Sequence, residues 1–254
     1  MTSVPRGVLE LARRAQRVTV LTGAGMSAES GVPTFRDSQT GLWARDDATE
    51  LATPEAFHRR PAHVWGWYLW RLCRLSEVEP NAGHHALARW ARRADVRIVT
   101  QNVDDLHERA GSEVLAHLHG SLRDFRCSVC GQRYAGPLPS ASGAAGEAGA
   151  EVEPLACAGC GGAVRPGVVW FGEPLPAQAF DAAMDACRDT DLVVSVGTSG
   201  LVHPAAALPD LAAANRIPVL ELNPNDTAHS WGATRVWRTT AAVGLPALVD
   251  ALEE

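Results

Sequence analysis

The chain has 254 residues, 46% hydrophobic and 20% charged, with a formal net charge of −6. That is enough to bury one large core and a smaller one, and too acidic for a broad nucleic-acid surface. No apolar run approaches a membrane span, and MTSVPRGVLELARR at the N-terminus lacks a signal peptide's apolar core, so a cytoplasmic protein with no membrane and no stable nucleic-acid partner is expected. All 23 basic residues are arginine, which with the abundant alanine points to a GC-rich bacterial genome.

Helical spacing over Gly7 to Ala15 leads into an apolar strand around Val18, Val20 and Leu21. Gly23 and Gly25 follow, suited to a tight turn that lets a pyrophosphate approach free backbone N–H groups at the next helix start. Such a turn alone is equally well explained by backbone needs. The acidic residue that a standard dehydrogenase places about twenty residues on, at the end of a second strand, has no counterpart in GLWARDDATELATPE. Gly31 to Leu51 shows no periodicity and reads as a mobile loop.

Residues 61–78, PAHVWGWYLWRLCRLSEV, predict an aromatic-rich helix with proline at its start. Asn81 caps a further helix to about Arg93. A second strand, Val96 to Thr100, ends at Gln101, Asn102, Val103 and Asp104, and the carboxyl ends of strands are where open α/β sheets hold ligands. Glu113 to His119 reads as another strand, whose two-residue period sets His117 and His119 on one face without choosing between them.

Six cysteines are present, four of them in the pairs Cys127/Cys130 and Cys157/Cys160. Without a secretory signal, two Cys-x2-Cys knuckles at this spacing predict one tetrahedral zinc, structural because four thiolates leave no open position. Cys73 and Cys187 read as small buried hydrophobes. The stretch between the knuckles, PLPSASGAAGEAGAEVEP, is low in complexity and reads as disordered. Beyond it come an extended segment, Arg165 to Glu173, a helix from Pro176 to Arg188, and the strand DLVVSVG opening into Gly197, Thr198 and Ser199. Another helix precedes the strand IPVLELN, ending at Asn223, and a last helix starts near Leu245. The alternation predicts an α/β fold, a Rossmann-like parallel sheet with helices on both faces, plus a small zinc-ribbon and helical module. The expected division is 1–30, 80–122 and 165–254 for the sheet domain, 31–79 for the loop and helical module, and 123–164 for the metal module.

The ordered set GAGMSAESGVPTFRD, TQNVDD, HGS, two Cys-x2-Cys pairs, VVWFGE, VGTS and ELN resembles the sirtuins, NAD-dependent protein-lysine deacylases, over almost the whole chain. The resemblance implies that Thr22 to Leu42 form a cofactor loop. Gly23, Ala24 and Gly25 would lie near the phosphates, with Ser27 and Ala28 in the same loop and Phe35 and Arg36 near the nicotinamide ribose. It places Gln101, Asn102, Val103 and Asp104 on ribose and amide, and Gly197, Thr198, Ser199, Asn223 and Ala241 on the adenosine side. Val168, Val169, Trp170 and Phe171 would pair with the substrate main chain as an added strand. The implied reaction transfers the acyl group to NAD, releasing nicotinamide and O-acyl-ADP-ribose, with His119 as general base and Asn102 positioning ribose or water. Zinc takes no part in that chemistry.

Tyr68 and Arg71 supply the Tyr-x-x-Arg pattern that marks family members acting on acidic acyl groups. On periodicity alone they fit an amphipathic helix with a snorkelling arginine; the flanking LATPEAF and EPNAGHHAL resemble the same subgroup and imply a desuccinylase or demalonylase that keeps deacetylase activity. The partners implied are acyl-lysine proteins. The competing readings are a mono-ADP-ribosyltransferase, a zinc-dependent nucleic-acid binder and a non-catalytic NAD sensor.

Overall fold

A computed structural model describes residues 3–32, 48–139 and 149–254. By its internal contacts the chain divides into two units, one of Met1–Thr34, Glu79–Leu118 and Leu175–Glu254, the other of Phe35–Val78 and His119–Pro174.

The first unit is built on six parallel strands. In β1 (Arg17–Thr22) every residue after the first is buried, as expected where both faces of a sheet are covered. Alternation sends Val18 and Val20 into one core and Leu21 into the other. The buried hydroxyl of Thr19 is satisfied by donating to the Ala186 carbonyl at 2.9 Å. The remaining strands are β2 (Asp95–Thr100), β3 (Val114–His117), β6 (Leu192–Val196), β7 (Val219–Leu222) and β8 (Arg235–Trp237). Their spatial order is β3-β2-β1-β6-β7-β8. The order therefore runs outward one way from β1 and then the other, reversing between β1 and β6, the crevice where such sheets bind ligands.

Helices α1 (Arg6–Arg14), α5 (Ala82–Trp90) and α9 (Ala241–Glu253) contribute Val8, Leu87 and Leu245 to the core on one face. Helices α7 (Ala177–Arg188) and α8 (Leu208–Ala214) contribute Ala183, Cys187 and Ala212 to the core on the other. Asn81 caps α5 through a capping box, its side chain accepting from Gly83 and His84 while the His84 ring returns a bond to its backbone. A short α6 (Leu106–Arg109) follows β2.

The second unit holds α2 (Ala48–Leu51), α3 (Pro54–Arg59), α4 (Pro61–Glu77) and the antiparallel pair β4 (Gly120–Cys127) and β5 (Val164–Val168). Thr53 caps α3, with Pro54 at the first helical position where its missing N–H is harmless. From Val64 to Trp70 α4 is buried on all sides. Trp65 meets Phe125 of β4 edge-on at 5.7 Å.

Several expectations need correction. The strand read as Glu113 to His119 stops at His117, because Leu118 and His119 form a turn and Gly120, at φ +72°, restarts the chain as β4. The segment Arg165 to Glu173 is a strand only to Val168, then turns at Gly172, φ +86°. The last helix starts at Ala241 rather than near Leu245, with Pro246 inside it. The loop read over Gly31 to Leu51 is helical from Ala48, and residues 33–47 lie outside the described residues, as do 140–148 of the stretch between the knuckles.

Candidate functional site

In the first unit the turns after β1 and β6 meet backbone to backbone. The Gly23 N–H donates to the Val196 carbonyl at 3.0 Å and the Gly25 N–H to the Gly197 carbonyl at 2.9 Å. A Cβ on Gly25 would sit 2.7 Å from the Gly197 Cα, and one on Gly197 2.5 Å from the Gly25 carbonyl carbon. Gly197 also has φ +62°, a conformation side chains resist. Around and after Gly25 the chain makes two short 3₁₀ turns, Ala24–Met26 and Ala28–Ser30, in place of the expected helix start. The N–H groups of Met26 and Ser27 are spent within them, donating to Gly23 and Ala24 carbonyls. The glycines thus serve close approach of two turns at the point where strand order reverses, and the amides of Gly23, Gly25, Met26 and Ser27 are not free donors.

A chain of buried polar side chains runs from this turn to the end of β2. Asn102 donates from Nδ2 to the Ser27 hydroxyl at 3.1 Å, and Ser27 donates on to Asp104 Oδ2 at 2.9 Å. Asp104 also accepts the Leu106 N–H at 3.2 Å. Burial pushes its carboxyl above the usual range, against the opposing pull of those two donors. Below them Thr22 donates to Thr100 at 2.8 Å, Thr100 accepts the Asn102 N–H at 3.0 Å, and His107 Nε2 stands 3.1 Å from the Thr22 hydroxyl. His107 meets His84 edge-on, centroids 4.9 Å apart. Burial pulls His107 down to about 3 and His84 to about 4, so both rings are neutral near pH 7. Neither histidine, nor Thr100, stands out in the sequence, because their partners lie on other elements.

The other nucleotide candidates lie at the same edge. Gln101 and Val103 flank Asn102, half-buried, in the loop after β2; Thr198 and Ser199 come directly after Gly197. Asn223, after β7, donates from Nδ2 to the Thr198 carbonyl at 2.9 Å, tying two strand ends together. Ala241 is the buried first residue of α9, and Ala24 and Ala28 belong to the 3₁₀ turns. A narrow hollow there is lined by Leu21, Val99, Gln101, Ser195 and Thr198 among others. Phe35, Arg36 and Leu42 lie outside the described residues.

The two candidate histidines have different surroundings. His117 pairs with Glu108, Nε2 to Oε1 2.7 Å. Burial lowers its pKa, but the hydrogen bond and charge of Glu108 outweigh this and leave it raised. His119 begins the second unit, half-buried, its carbonyl accepting the Val169 N–H at 2.8 Å.

Tyr68 is 3% exposed and Trp170 2%; the indole Nε1–H donates to the Tyr68 hydroxyl at 2.8 Å. Arg71 lies half-buried one turn on, its guanidinium 4.7 Å from the Trp67 ring centre and 5.6 Å from that of Tyr68. Two residues that sequence reading passed over clamp Trp170. Arg165, 5% exposed, stacks 3.2 Å from the indole centre and pairs in a fork with Glu173 at 2.5 and 3.0 Å. Glu173 in turn accepts the Trp170 N–H at 2.9 Å. The Phe171 N–H donates to the Ala52 carbonyl at 2.9 Å, so the amides of Val169, Trp170 and Phe171 are all engaged within the unit.

Cys127, Cys130, Cys157 and Cys160 converge with their sulfurs within 4.8 Å of one another, Cys127 to Cys160 at 3.5 Å and Cys130 to Cys157 at 3.8 Å. A disulfide needs roughly 2 Å, whereas four thiolates about 2.3 Å from a zinc stand about 3.8 Å apart. The two knuckles repeat one geometry. Gly131 and Gly161, φ +72° and +73°, donate to the Cys127 and Cys157 carbonyls at 3.2 and 2.8 Å. Amides of Cys130 and Val129 pull the Cys127 thiol down to about 6. Cys160 is pushed to about 11 by its sulfur neighbours, against the Gly162 amide. Four thiolates this close need a cation, and the set could hold one zinc. Cys187 is buried and pushed up to about 12 by desolvation, while Cys73 is only half-buried.

These features define a Rossmann-like nucleotide-binding fold carrying a four-cysteine metal module. Residues 23–204 match the Sir2 family, and the chain belongs to that family. It is 53% identical over 236 residues, 93% of this chain and 98% of the relative, to an NAD-dependent protein deacylase of Mycobacterium tuberculosis. To one of Corynebacterium glutamicum it is 47% identical over 247 residues, covering 96% and 94%. A crystal structure of a Sir2 homologue–NAD complex superimposes with a TM-score of 0.87 at 38% identity, covering 99% of this chain and 95% of that one.

Proposed function

We propose that this chain is an NAD-dependent protein deacylase that removes acyl groups from lysine side chains and favours acyl groups ending in a carboxylate. The deacylase reading is carried by the 53% identity, across 93% of the chain, to a relative of that name. The two glycine turns meet at the strand-order reversal, the crevice where sheets of this kind bind ligands. When bound, NAD supplies the ribose carbon that takes the acyl oxygen and the nicotinamide that departs.

In this reading the turn of Gly23, Ala24 and Gly25 lies beside the pyrophosphate, its glycines serving the approach to Gly197, and Gly197, Thr198, Ser199, Asn223 and Ala241 face the adenosine. Asn102, its amide oriented by Ser27 and through it by Asp104, positions ribose or water, flanked by Gln101 and Val103. His119 accepts the proton from a ribose hydroxyl; His117, held by Glu108, does not. Water exclusion by Phe35 and cofactor contact by Arg36 and Leu42, as the resemblance implies, concern residues outside the described ones. A peptide strand along Val168 to Phe171 donates to carbonyl oxygens, since the amides there are taken. Tyr68 and Arg71 receive the distal carboxylate. The zinc holds its module, and its reduced thiolates suit a cytoplasmic setting. Among the described residues no helix is long and apolar enough to cross a membrane.

The test is mass spectrometry of matched acetyl, malonyl and succinyl peptides incubated with NAD, for the wild type, His119→Ala and His117→Ala. Deacylated peptide formed with one nicotinamide per turnover, lost in His119→Ala and largely kept in His117→Ala, is the expected result. Nicotinamide release with stable ADP-ribose on protein and no deacylated peptide would show a transferase instead. Equal losses in well-folded forms of both histidine variants would remove the role given to His119.

A further inference from the structure

We infer that Trp170 is a positioning residue for acyl choice: its indole fixes the direction of the Tyr68 hydroxyl, and the Arg165–Glu173 pair holds the indole in place. The inference rests on the reading of Tyr68 and Arg71 as the contact for an acidic acyl group.

An indole N–H can only donate, whereas a phenol both donates and accepts. At 2.8 Å from Trp170 Nε1 the Tyr68 oxygen is therefore the acceptor, and its own hydrogen points away from the indole. Both side chains are almost wholly buried, so water does not readily replace the indole as donor. Burial also raises the Tyr68 pKa, against the nearby Arg71 charge, which keeps the phenol neutral and its hydrogen available. The result is a hydroxyl with one free hydrogen in a set direction. A carboxylate at the end of an acyl chain accepts that hydrogen; a terminal methyl cannot.

The indole is held more firmly than packing alone requires. Arg165 covers its ring at 3.2 Å and donates from Nη2 to the Val168 carbonyl at 3.0 Å. The same Glu173 that forks with Arg165 accepts the backbone N–H of Trp170. One ion pair thus fixes ring and main chain of the residue that orients Tyr68. Phe57 packs nearby, ring centres 5.3 Å apart.

The test is kcat/KM for succinyl and acetyl versions of one peptide, using wild type, Trp170→Phe, Tyr68→Phe, the double variant and Arg71→Met. Phenylalanine keeps most of the ring and removes the donor. Trp170→Phe should lower the succinyl-to-acetyl ratio about 2- to 10-fold, the equivalent of one neutral hydrogen bond. In the Tyr68→Phe background the same change should shift the ratio little, because the hydroxyl it orients is gone. Equal losses on both substrates, an unchanged ratio, or full multiplicativity in the double variant would overturn the inference and leave Trp170 as a packing residue. If Trp170→Phe does not fold, Glu173→Gln, which weakens the clamp, carries the same expectation in smaller measure and the same refutation. A ratio insensitive to Arg71→Met overturns the acidic-acyl reading and this inference with it. A selective effect of Arg71→Met beside a non-selective one of Trp170→Phe overturns the inference alone.

Discussion

Two buried imidazoles make the molecule sensitive to acid. His84 accepts a backbone N–H at Nδ1 and His107 bonds the Thr22 hydroxyl, and folded pKa values near 4 and 3 lie below the 6.5 of an unfolded histidine. A folded state that binds fewer protons is fully stabilised above pH 6.5, and that stability is lost as pH falls toward 4 and 3. Between pH 6.5 and 5 each ring costs about 2 kcal/mol. The raised pKa values of Asp104 and His117 act in the opposite sense and soften the slope. Urea unfolding from pH 7.5 to 4.5 should show a steep loss below pH 6.5 that is shallower in His107→Asn; parallel slopes would refute the assignment. Among the residues proposed to touch the acyl group Arg71 matters most. If it forms a forked pair with a substrate carboxylate, Arg71→Met should lower desuccinylation about 30-fold or more while deacetylation changes far less, and Tyr68→Phe should cost about 1 kcal/mol on the same substrate. Matching losses on both acyl peptides in steady-state kinetics would instead make Arg71 a fold residue.

The metal module is the element whose design is most local, and for that reason the easiest to read in advance. Each knuckle closes within five residues around one left-handed glycine, so Cys-x2-Cys spacing carries nearly the whole geometry. One zinc per chain is expected, and Cys130→Ala should lose it and lower the thermal midpoint by several degrees. Metal-free purified protein that is fully folded, or a stable and active Cys130→Ala, would count against the site. Less local elements were less legible. The three-residue β8 is too short to show a period, and α3 is set by a Thr-Pro cap inside a stretch with few apolar residues. His117 and His119 fit an alternating strand until Gly120 takes a positive φ, which no periodicity announces. Tyr68 was legible as part of a pattern, but its bond to Trp170 joins α4 to the segment after β5 and leaves no trace in spacing.

At the scale of the whole molecule, alternation of strands and helices shows a covered parallel sheet, yet not which strands are neighbours. That order depends on where long stretches interrupt the alternation. The second unit enters the chain twice, after β1 and after β3, and the first unit's sheet is assembled from the three pieces that remain. Glycine at positions 25 and 197 was foreseeable as turn chemistry; that the two turns would meet was not, since the strands preceding them are far apart in sequence and adjacent only in the sheet. The meeting has a genetic consequence. Gly25→Ala should be strongly destabilising, because its methyl would press on the Gly197 main chain. Most damaging core substitutions can be relieved by trimming the neighbour, but here the neighbour is already a glycine and the collision is with its backbone. A selection for restored function in a Gly25→Ala strain should therefore recover true revertants at codon 25 and no suppressors at codon 197.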